Sequence, residues 1–319
     1  MNNILEVNNL TKVFKKANGE SHTAVNGISF NLVEGEIFSF LGPNGAGKST
    51  TINMVTTQLS LTAGTIKIDG EDIKSNPINA RTKIGIVAQH NNLDRGLTAH
   101  ENLLYHGRYF GLSKEEAEKR AAGLLKDFGL FDWKDDYVKS FSGGMAQRLK
   151  IARAIMHKPA ILFLDEPTTG LDPAYREILW EHVLRLNKEN KTTVFLTTHY
   201  MEEPERFSDR VAIYNKGEIK AIGTIDELRK QIPSESLIYL KVDQASDLFS
   251  KKLSNLETVK SIKVVDEKNY VIYPNESKKA LTEVLHLFEK SITQLENIQL
   301  SSTTLDDIFI HLTTDEGDK

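Results

Sequence analysis

Gly42-Pro43-Asn44-Gly45-Ala46-Gly47-Lys48-Ser49 has the spacing G-x-x-x-x-G-K-S/T, and the fold follows from how such a stretch must be built. Its glycines allow a turn tight enough to aim successive N–H groups inward around a phosphate. A helix expected from Ser49 to Leu59 presents the positive end of its dipole to the same point. In such a loop Lys48 reaches the outer phosphates and the Ser49 hydroxyl takes Mg²⁺. Directly upstream, Gly35-Glu36 is a turn and Ile37-Phe38-Ser39-Phe40-Leu41 an apolar run, the strand that a phosphate loop follows.

The surrounding chain has 319 residues, 39% hydrophobic and 26% charged, with a net charge of −4, enough for two domains or for one large domain with an appendage. That charge balance carries no basic excess of the kind nucleic-acid binding shows. Apolar runs such as Ala160 to Leu164 fall far short of the about 18 residues a transmembrane helix needs. Met1-Asn2-Asn3 has no signal-peptide pattern, so the chain is expected in the cytosol. The absence of cysteine excludes disulfides, thiolate metal sites and a cysteine nucleophile.

Upstream of the loop, Ile4 to Val7 and Leu10 to Phe14 alternate as two short strands separated by Asn8-Asn9, and Ala24 to Leu32 continues in the same style, which predicts an antiparallel β region. Phe14 is either a ring that stacks on a nucleotide base or a core residue of its strand. Downstream, Lys83 to Ala88 reads as a buried strand ending at Gln89. In a sheet carrying a phosphate loop that end faces the ligand, which suits Gln89 to Mg²⁺ or to the attacking water, the alternative being a plain turn residue. From Ala99 to about Ser140 the pattern is helical, and Ser113 with Glu116 forms a capping box that opens a helix running to about Phe128.

Ser142-Gly143-Gly144 then opens another helix, whose bare amides form a second potential phosphate site. Ala160 to Leu164 is apolar on both faces and ends in Asp165-Glu166. An ionisable pair there needs partners, so Asp165 suits Mg²⁺ and Glu166 suits the base that orients attacking water. Asp172-Pro173 precedes a helix from about Tyr175 to Asn187, and a further buried strand, Thr193 to Thr198, ends at His199, placed to touch a γ-phosphate.

In this order Gly42 to Ser49, Gln89, Ser142-Gly143-Gly144, Asp165-Glu166, Asp172 and His199 resemble the ATP-binding subunit of an ABC transporter, over roughly residues 4–230. The resemblance implies an α/β P-loop NTPase of ABC type, with a RecA-like core, an antiparallel β subdomain and a helical subdomain at about 90–158, all within an ATPase domain of residues 1–232. It implies ATP and Mg²⁺ as cofactors. Nucleotide contacts fall to Phe14, Gly42, Pro43, Asn44, Gly45, Ala46, Gly47, Lys48, Ser49 and Thr50, and also to Ser142, Gly143, Gly144 and Asp172. Metal contacts fall to Ser49, Gln89 and Asp165, and catalysis to Glu166, His199, Gln89 and Lys48.

As partners, the resemblance implies a second copy of the chain, bound head to tail so that the Ser142 turn of one completes the site on the other, and a separate transmembrane permease. The chain is expected at the cytoplasmic face of the membrane, driving export of a drug, lipid or other amphipathic small molecule. The alternative is a soluble ABC ATPase acting on ribosomes or DNA, but such members carry two cassettes or a long coiled coil, and here there is one cassette and no heptad run. A P-loop kinase would leave Ser142-Gly143-Gly144 and His199 without a role. Met145 departs from the glutamine usual after Ser-Gly-Gly, and Pro204 places a helix start near Glu203. The stretch from Asn91-Asn92-Leu93-Asp94 to Tyr109-Phe110-Gly111-Leu112 is similar to daunorubicin-resistance-type drug exporters.

After Pro233-Ser234-Glu235-Ser236, of linker composition, residues 237–319 read as a small α+β accessory domain. Its expected elements are strand 237–242, helix 246–256, strands 259–265 and 270–273, helix 277–291 and strand 293–300, the β-α-β-β-α-β order of a ferredoxin-like unit. A last helix, Leu305 to Leu312, sets Leu305, Ile308, Phe309 and Leu312 on one face. This tail, with Thr304 to Phe309, resembles the C-terminal domain of drug-exporter-type ATPases and holds no catalytic constellation.

Overall fold

The computed structural model describes residues 2–15, 19–90, 92–232, 234, 236–244, 247–289 and 293–313, and it divides into two compact units, residues 1–222 and 223–319. Asn91 of the drug-exporter-like stretch, Pro233 and Glu235 of the expected linker, Ser246 at the start of the first expected tail helix, and residues 290 and 291 at the end of the second lie outside the described residues.

The first unit begins with β1 (Asn3–Lys15), β2 (Ser21–Val33), β3 (Ile37–Leu41), α1 (Lys48–Val55), β4 (Ala63–Ile68), β5 (Glu71–Asp72), α2 (Pro77–Thr82) and β6 (Ile84–Val87). It continues with α3 (Ala99–Tyr109), α4 (Lys114–Asp127), two 3₁₀ turns, α5 (Gly143–Ala154), β7 (Ile161–Asp165), α6 (Pro173–Asn190), β8 (Thr193–Thr198), α7 (Glu202–Phe207), β9 (Arg210–Asn215) and β10 (Glu218–Gly223). Two sheets result, an antiparallel one in the order β2-β1-β4-β5 and a six-stranded one in the order β10-β9-β3-β8-β7-β6.

In the second sheet β6, β7, β8, β3 and β9 all run parallel, with Leu41 opposite Thr198 and Asp165 opposite Thr197. The residues that follow β3, β8, β7 and β6 therefore emerge along one edge of the sheet. Every residue of β3, β7 and β8 is buried, because layers cover both faces. On one face Phe38, Phe40, Phe163 and Phe195 pack with α1 and with Phe30 of β2. On the other, Leu162, Leu164, Val194 and Leu196 pack with α3 to α6. The alternation along β7 sends Phe163 to one core and its neighbours Leu162 and Leu164 to the other.

Three local expectations change. The two short strands predicted before Phe14 are one strand, because Asn8-Asn9 forms a bulge rather than a break. Asn9 takes a φ of 48° and its N–H donates to Ser29 Oγ at 2.9 Å. The helix expected to reach Leu59 stops at Val55, where the Thr56 hydroxyl donates back to the Ile52 carbonyl at 2.7 Å and Thr57 adopts a φ of 62°. The helix expected from Tyr175 starts at Pro173, with Asp172 as its N-cap. The capping box read at Ser113 is formed, and a second one at Thr98 and Glu101 opens α3.

The second unit holds α8 (Ile225–Arg229), β11 (Ser236–Val242), α9 (Asp247–Ser254), β12 (Val259–Val264), β13 (Asn269–Pro274), α10 (Ser277–Glu289), β14 (Leu295–Ser302) and α11 (Leu305–Thr313). Its antiparallel sheet has the order β12-β13-β11-β14, the arrangement of a ferredoxin-like unit. Residues 223–232, read from sequence as the end of the ATPase domain, group with this unit instead. The reason is local packing: α8 lies against α11, and Arg229 Nε donates to the Thr303 carbonyl at 3.2 Å. On α11, Leu305 and Ile308 are buried while Phe309 and Leu312 are half-buried. Asp307, not part of the expected stripe, is buried and accepts from Tyr239 Oη.

Candidate nucleotide site

The phosphate loop bends away from β3 into α1. A Cβ at Gly47, whose φ is 112°, would strike the Ala24 carbonyl, and one at Gly42 would strike the Tyr214 carbonyl, so the loop closes this tightly only with glycine at both positions. The loop backbone is tied from outside as well, since Gly217 N–H donates to Ala46 O at 2.8 Å. Lys48 is buried and donates from Nζ to the carbonyls of Gly42 at 2.6 Å and Pro43 at 3.1 Å, with Glu166 Oε1 at 3.3 Å.

Glu166 follows β7 with a φ of 51°, a conformation that costs a non-glycine residue about 1 kcal/mol and that clusters at functional sites. Its N–H is held by Thr197 O at 3.0 Å, and its Oε2 accepts from Thr169 Oγ1 at 3.1 Å and is bonded to His199 Nδ1. Oε1 is buried and, among the described residues, makes no hydrogen bond; the Lys48 ammonium lies 3.3 Å from it. Lys48, Glu166 and His199 thus form one contiguous line of charge and proton-carrying groups.

Asp165 Oδ1 accepts from Thr197 Oγ1 at 2.6 Å and from Ser49 Oγ at 3.0 Å. Burial pushes its carboxyl above the usual range, an effect that those two hydrogen bonds and Lys48 partly offset and the neighbouring Glu166 charge reinforces. A hydroxyl and a carboxylate with only oxygen to offer suit a hard cation. Among the described residues no three His, Asp or Glu side chains cluster to hold a metal by themselves, so the donor set fits a Mg²⁺ that takes its other ligands from phosphate and water.

A cleft of about 360 Å³ lies along the loop, lined by Phe14, His22, Ala24, residues 43–50, Gln89 and Glu166. It brings together Pro43, Asn44, Gly45, Ala46, Gly47, Lys48, Ser49, Thr50, Gln89 and Glu166, and it places Phe14 at its rim, 39% exposed, with Lys12 Nζ 5.1 Å from the ring centre. Sequence reasoning missed His22. It sits opposite Phe14 in the β1–β2 register, so the only available signal was the hairpin pairing.

The cleft does not include Ser142, Gly143, Gly144 or Asp172. Ser142 caps α5 by accepting from Met145 N at 3.3 Å, Gly144 sits against the Tyr175 ring, and Asp172 accepts from Tyr175 N at 3.2 Å. These segments therefore lie next to one another through Tyr175 and do not line the cleft along the chain's own phosphate loop.

This combination of a parallel sheet, a phosphate loop after β3 and a carboxylate pair at the end of β7, with β8 between the two strands, defines a nucleoside triphosphatase. A family profile described as "ABC transporter" matches residues 25–169, and one described as "AAA domain, putative AbiEii toxin, Type IV TA system" matches residues 138–202. The chain is 40% identical over 300 residues to the linearmycin resistance ATP-binding protein LnrL of Bacillus subtilis (strain 168), covering 94% of this chain and 96% of that one. It is 37% identical over 325 residues to the daunorubicin/doxorubicin resistance ATP-binding protein DrrA of Streptomyces peucetius, covering 98% and 93%. Among solved structures, a dimeric post-hydrolysis state of the ATP-binding cassette MJ0796 bound to ADP and Pi superposes with a TM-score of 0.64 at 32% identity, over 69% of this chain and 98% of that one. The chain belongs to the ABC transporter family as an ATP-binding subunit, and its enzymatic activity is that of an ATPase.

Proposed function

We propose that this chain supplies the energy for export of an amphipathic small molecule through a separate membrane subunit, working as a head-to-tail pair at the cytoplasmic face of the membrane. The observation that carries the reading is the line Lys48–Glu166–His199 beside the Ser49–Asp165 pair, in a chain that matches two resistance ATP-binding proteins over nearly its whole length. Among the described residues no helix is long and apolar enough to cross a membrane, so in this reading the path for cargo is assigned to the partner.

In the proposed reaction Lys48 leaves its two carbonyls for the outer phosphates and Glu166 Oε1 accepts a hydrogen from the attacking water, which aligns the water with the γ-phosphorus. His199, already bonded to Glu166, steadies the γ-phosphate and keeps that carboxylate in one rotamer. Ser49, Asp165 and Gln89 would hold Mg²⁺, which when bound offsets charge on the phosphates. The Ser142-Gly143-Gly144 turn and Asp172, adjacent to each other and outside the cleft along their own loop, reach the nucleotide held by the second copy.

Co-expression with a membrane subunit that co-purifies with this chain, followed by efflux of a fluorescent amphipathic drug, tests the reading. Efflux is expected with the wild type and not with Glu166→Gln. Efflux that persists with the Glu166→Gln chain, or its absence with both, refutes it.

A further inference from the structure

Glu203, in α7, is 6% exposed and lies four residues beyond His199. Its Oε1 accepts from Thr168 Oγ1 at 2.5 Å and from Trp180 Nε1 at 3.3 Å, and its Oε2 accepts from Thr198 Oγ1 at 2.6 Å. Among the described residues no basic side chain pairs with it. A carboxylate taken out of water is costly and persists where directed donors hold it, so three neutral donors converging here form a built site.

Two of those donors belong to the turns that carry the reacting groups. Thr198 immediately precedes His199. Its Oγ1 also accepts from Tyr200 N at 3.0 Å, which pins the His199 turn, and its carbonyl accepts from Gly42 N at 3.3 Å, the first residue of the phosphate loop. Thr168 lies two residues after Glu166 and accepts at its carbonyl from Leu171 N at 3.0 Å, while the next residue, Thr169, donates to Glu166 Oε2 at 3.1 Å. One carboxylate therefore braces both turns from behind, and Glu166, with its φ of 51°, sits in a backbone conformation that only fixed neighbours sustain.

We infer that Glu203 is a positioning residue for ATP hydrolysis: through Thr168 and Thr198 it holds Glu166 and His199 in a single geometry around the attacking water. The inference rests on the reading of Glu166 as the group that orients that water. A carboxylate suits the task because it accepts from every direction. In a glutamine at the same place, the Trp180 N–H, a donor only, would keep the amide oxygen on its own side and turn the NH₂ toward Thr198. Glu203→Gln thus loosens the His199 branch, Thr168→Val loosens the Glu166 branch, and Trp180→Phe leaves both hydroxyl contacts in place.

The test uses the full-length chain and measures single-turnover ATP hydrolysis with enzyme in excess, affinity for a fluorescent ATP analogue, and the thermal midpoint. Glu203→Gln, Thr168→Val and Thr198→Val are each expected to slow hydrolysis about 10- to 100-fold, as small misplacements of reacting groups do, with affinity held within about threefold. Trp180→Phe keeps a near wild-type rate, and adding Glu203→Gln to Glu166→Gln costs nothing further, because both act on the same step. Wild-type rates in folded Thr168→Val and Thr198→Val chains overturn the inference. So does a loss of rate that tracks loss of affinity and appears equally in Trp180→Phe. If Glu203→Gln fails to fold, the two threonine variants decide. Turnover retained in Glu166→Gln overturns the reading of Glu166 instead, which separates the two failures.

Discussion

Replacing Glu166 by glutamine removes one charge from a line of three groups, of which Lys48 and Glu166 are buried and His199 half-buried, and leaves the shape almost unchanged. Two consequences differ in sign. Oε1 of Glu166 is buried without a hydrogen bond, so it is the acceptor that an attacking water would use. Loss of such a base typically slows hydrolysis about 10²- to 10⁴-fold, equivalent to about 3–5 kcal/mol on the barrier. The same carboxylate holds Lys48 at 3.3 Å in a site where both side chains are 4% exposed. At an effective dielectric of about 20 that pair attracts by about 5 kcal/mol before desolvation is subtracted, and desolvation cancels most of it. A residue of about 1 kcal/mol opposes the transfer of Lys48 to the phosphates, so the variant is expected to bind Mg²⁺-ATP about fivefold more tightly than the wild type. Single-turnover hydrolysis of radiolabelled ATP and equilibrium titration on the same preparation read both effects. ATP affinity that falls together with turnover would show that Glu166 builds the binding site, and the argument from Oε1, ion-paired to Lys48 but without a hydrogen bond, would fail.

Other expectations follow from the same geometry. In a Glu166→Gln background, ATP is expected to convert the chain to a dimer on size exclusion, and Ser142→Arg to abolish that shift while leaving monomer ATP affinity within about threefold; a dimer that survives Ser142→Arg counts against the shared site. Truncation after Gly223 is expected to preserve nucleotide binding while weakening dimerisation or transport, whereas truncation after Ser236 retains the buried Leu228 and Ile232 of α8 and its turn without their cover and yields less soluble protein; equal solubility of the two would refute the assignment of α8 to the C-terminal unit. Burial raises the Tyr214 phenol from 10.0 to about 12, so the folded chain keeps this proton longer than the unfolded one. Its contribution is whole below pH 10 and is lost as pH rises through about 12, up to about 3 kcal/mol in all, and Tyr214→Phe should flatten the fall in urea midpoint above pH 10; parallel slopes would refute it.

What could be read from the sequence was what neighbours along the chain decide. The glycine spacing of residues 42–49, the Ser113 capping box and the strand–helix order of the tail depend on residues a few positions apart, within reach of one turn or one strand. Buried apolar runs ending in Asp165 and His199 likewise announced strands whose polar tips needed partners. Only the tertiary structure decided the rest. Parallel pairing of β3, β8, β7 and β6 set Lys48, Glu166 and His199 in contact, and the β1–β2 hairpin added His22 to the cleft. The packing of α8 on α11 moved ten residues from the ATPase unit to the tail. Glu203 is the clearest case, since its sequence context of Glu202-Glu203-Pro204 suggests no more than a helix start. Its donors lie 5, 23 and 35 residues away, and a carboxylate's partners at such separations are chosen by how strands and helices stack, which no local pattern encodes.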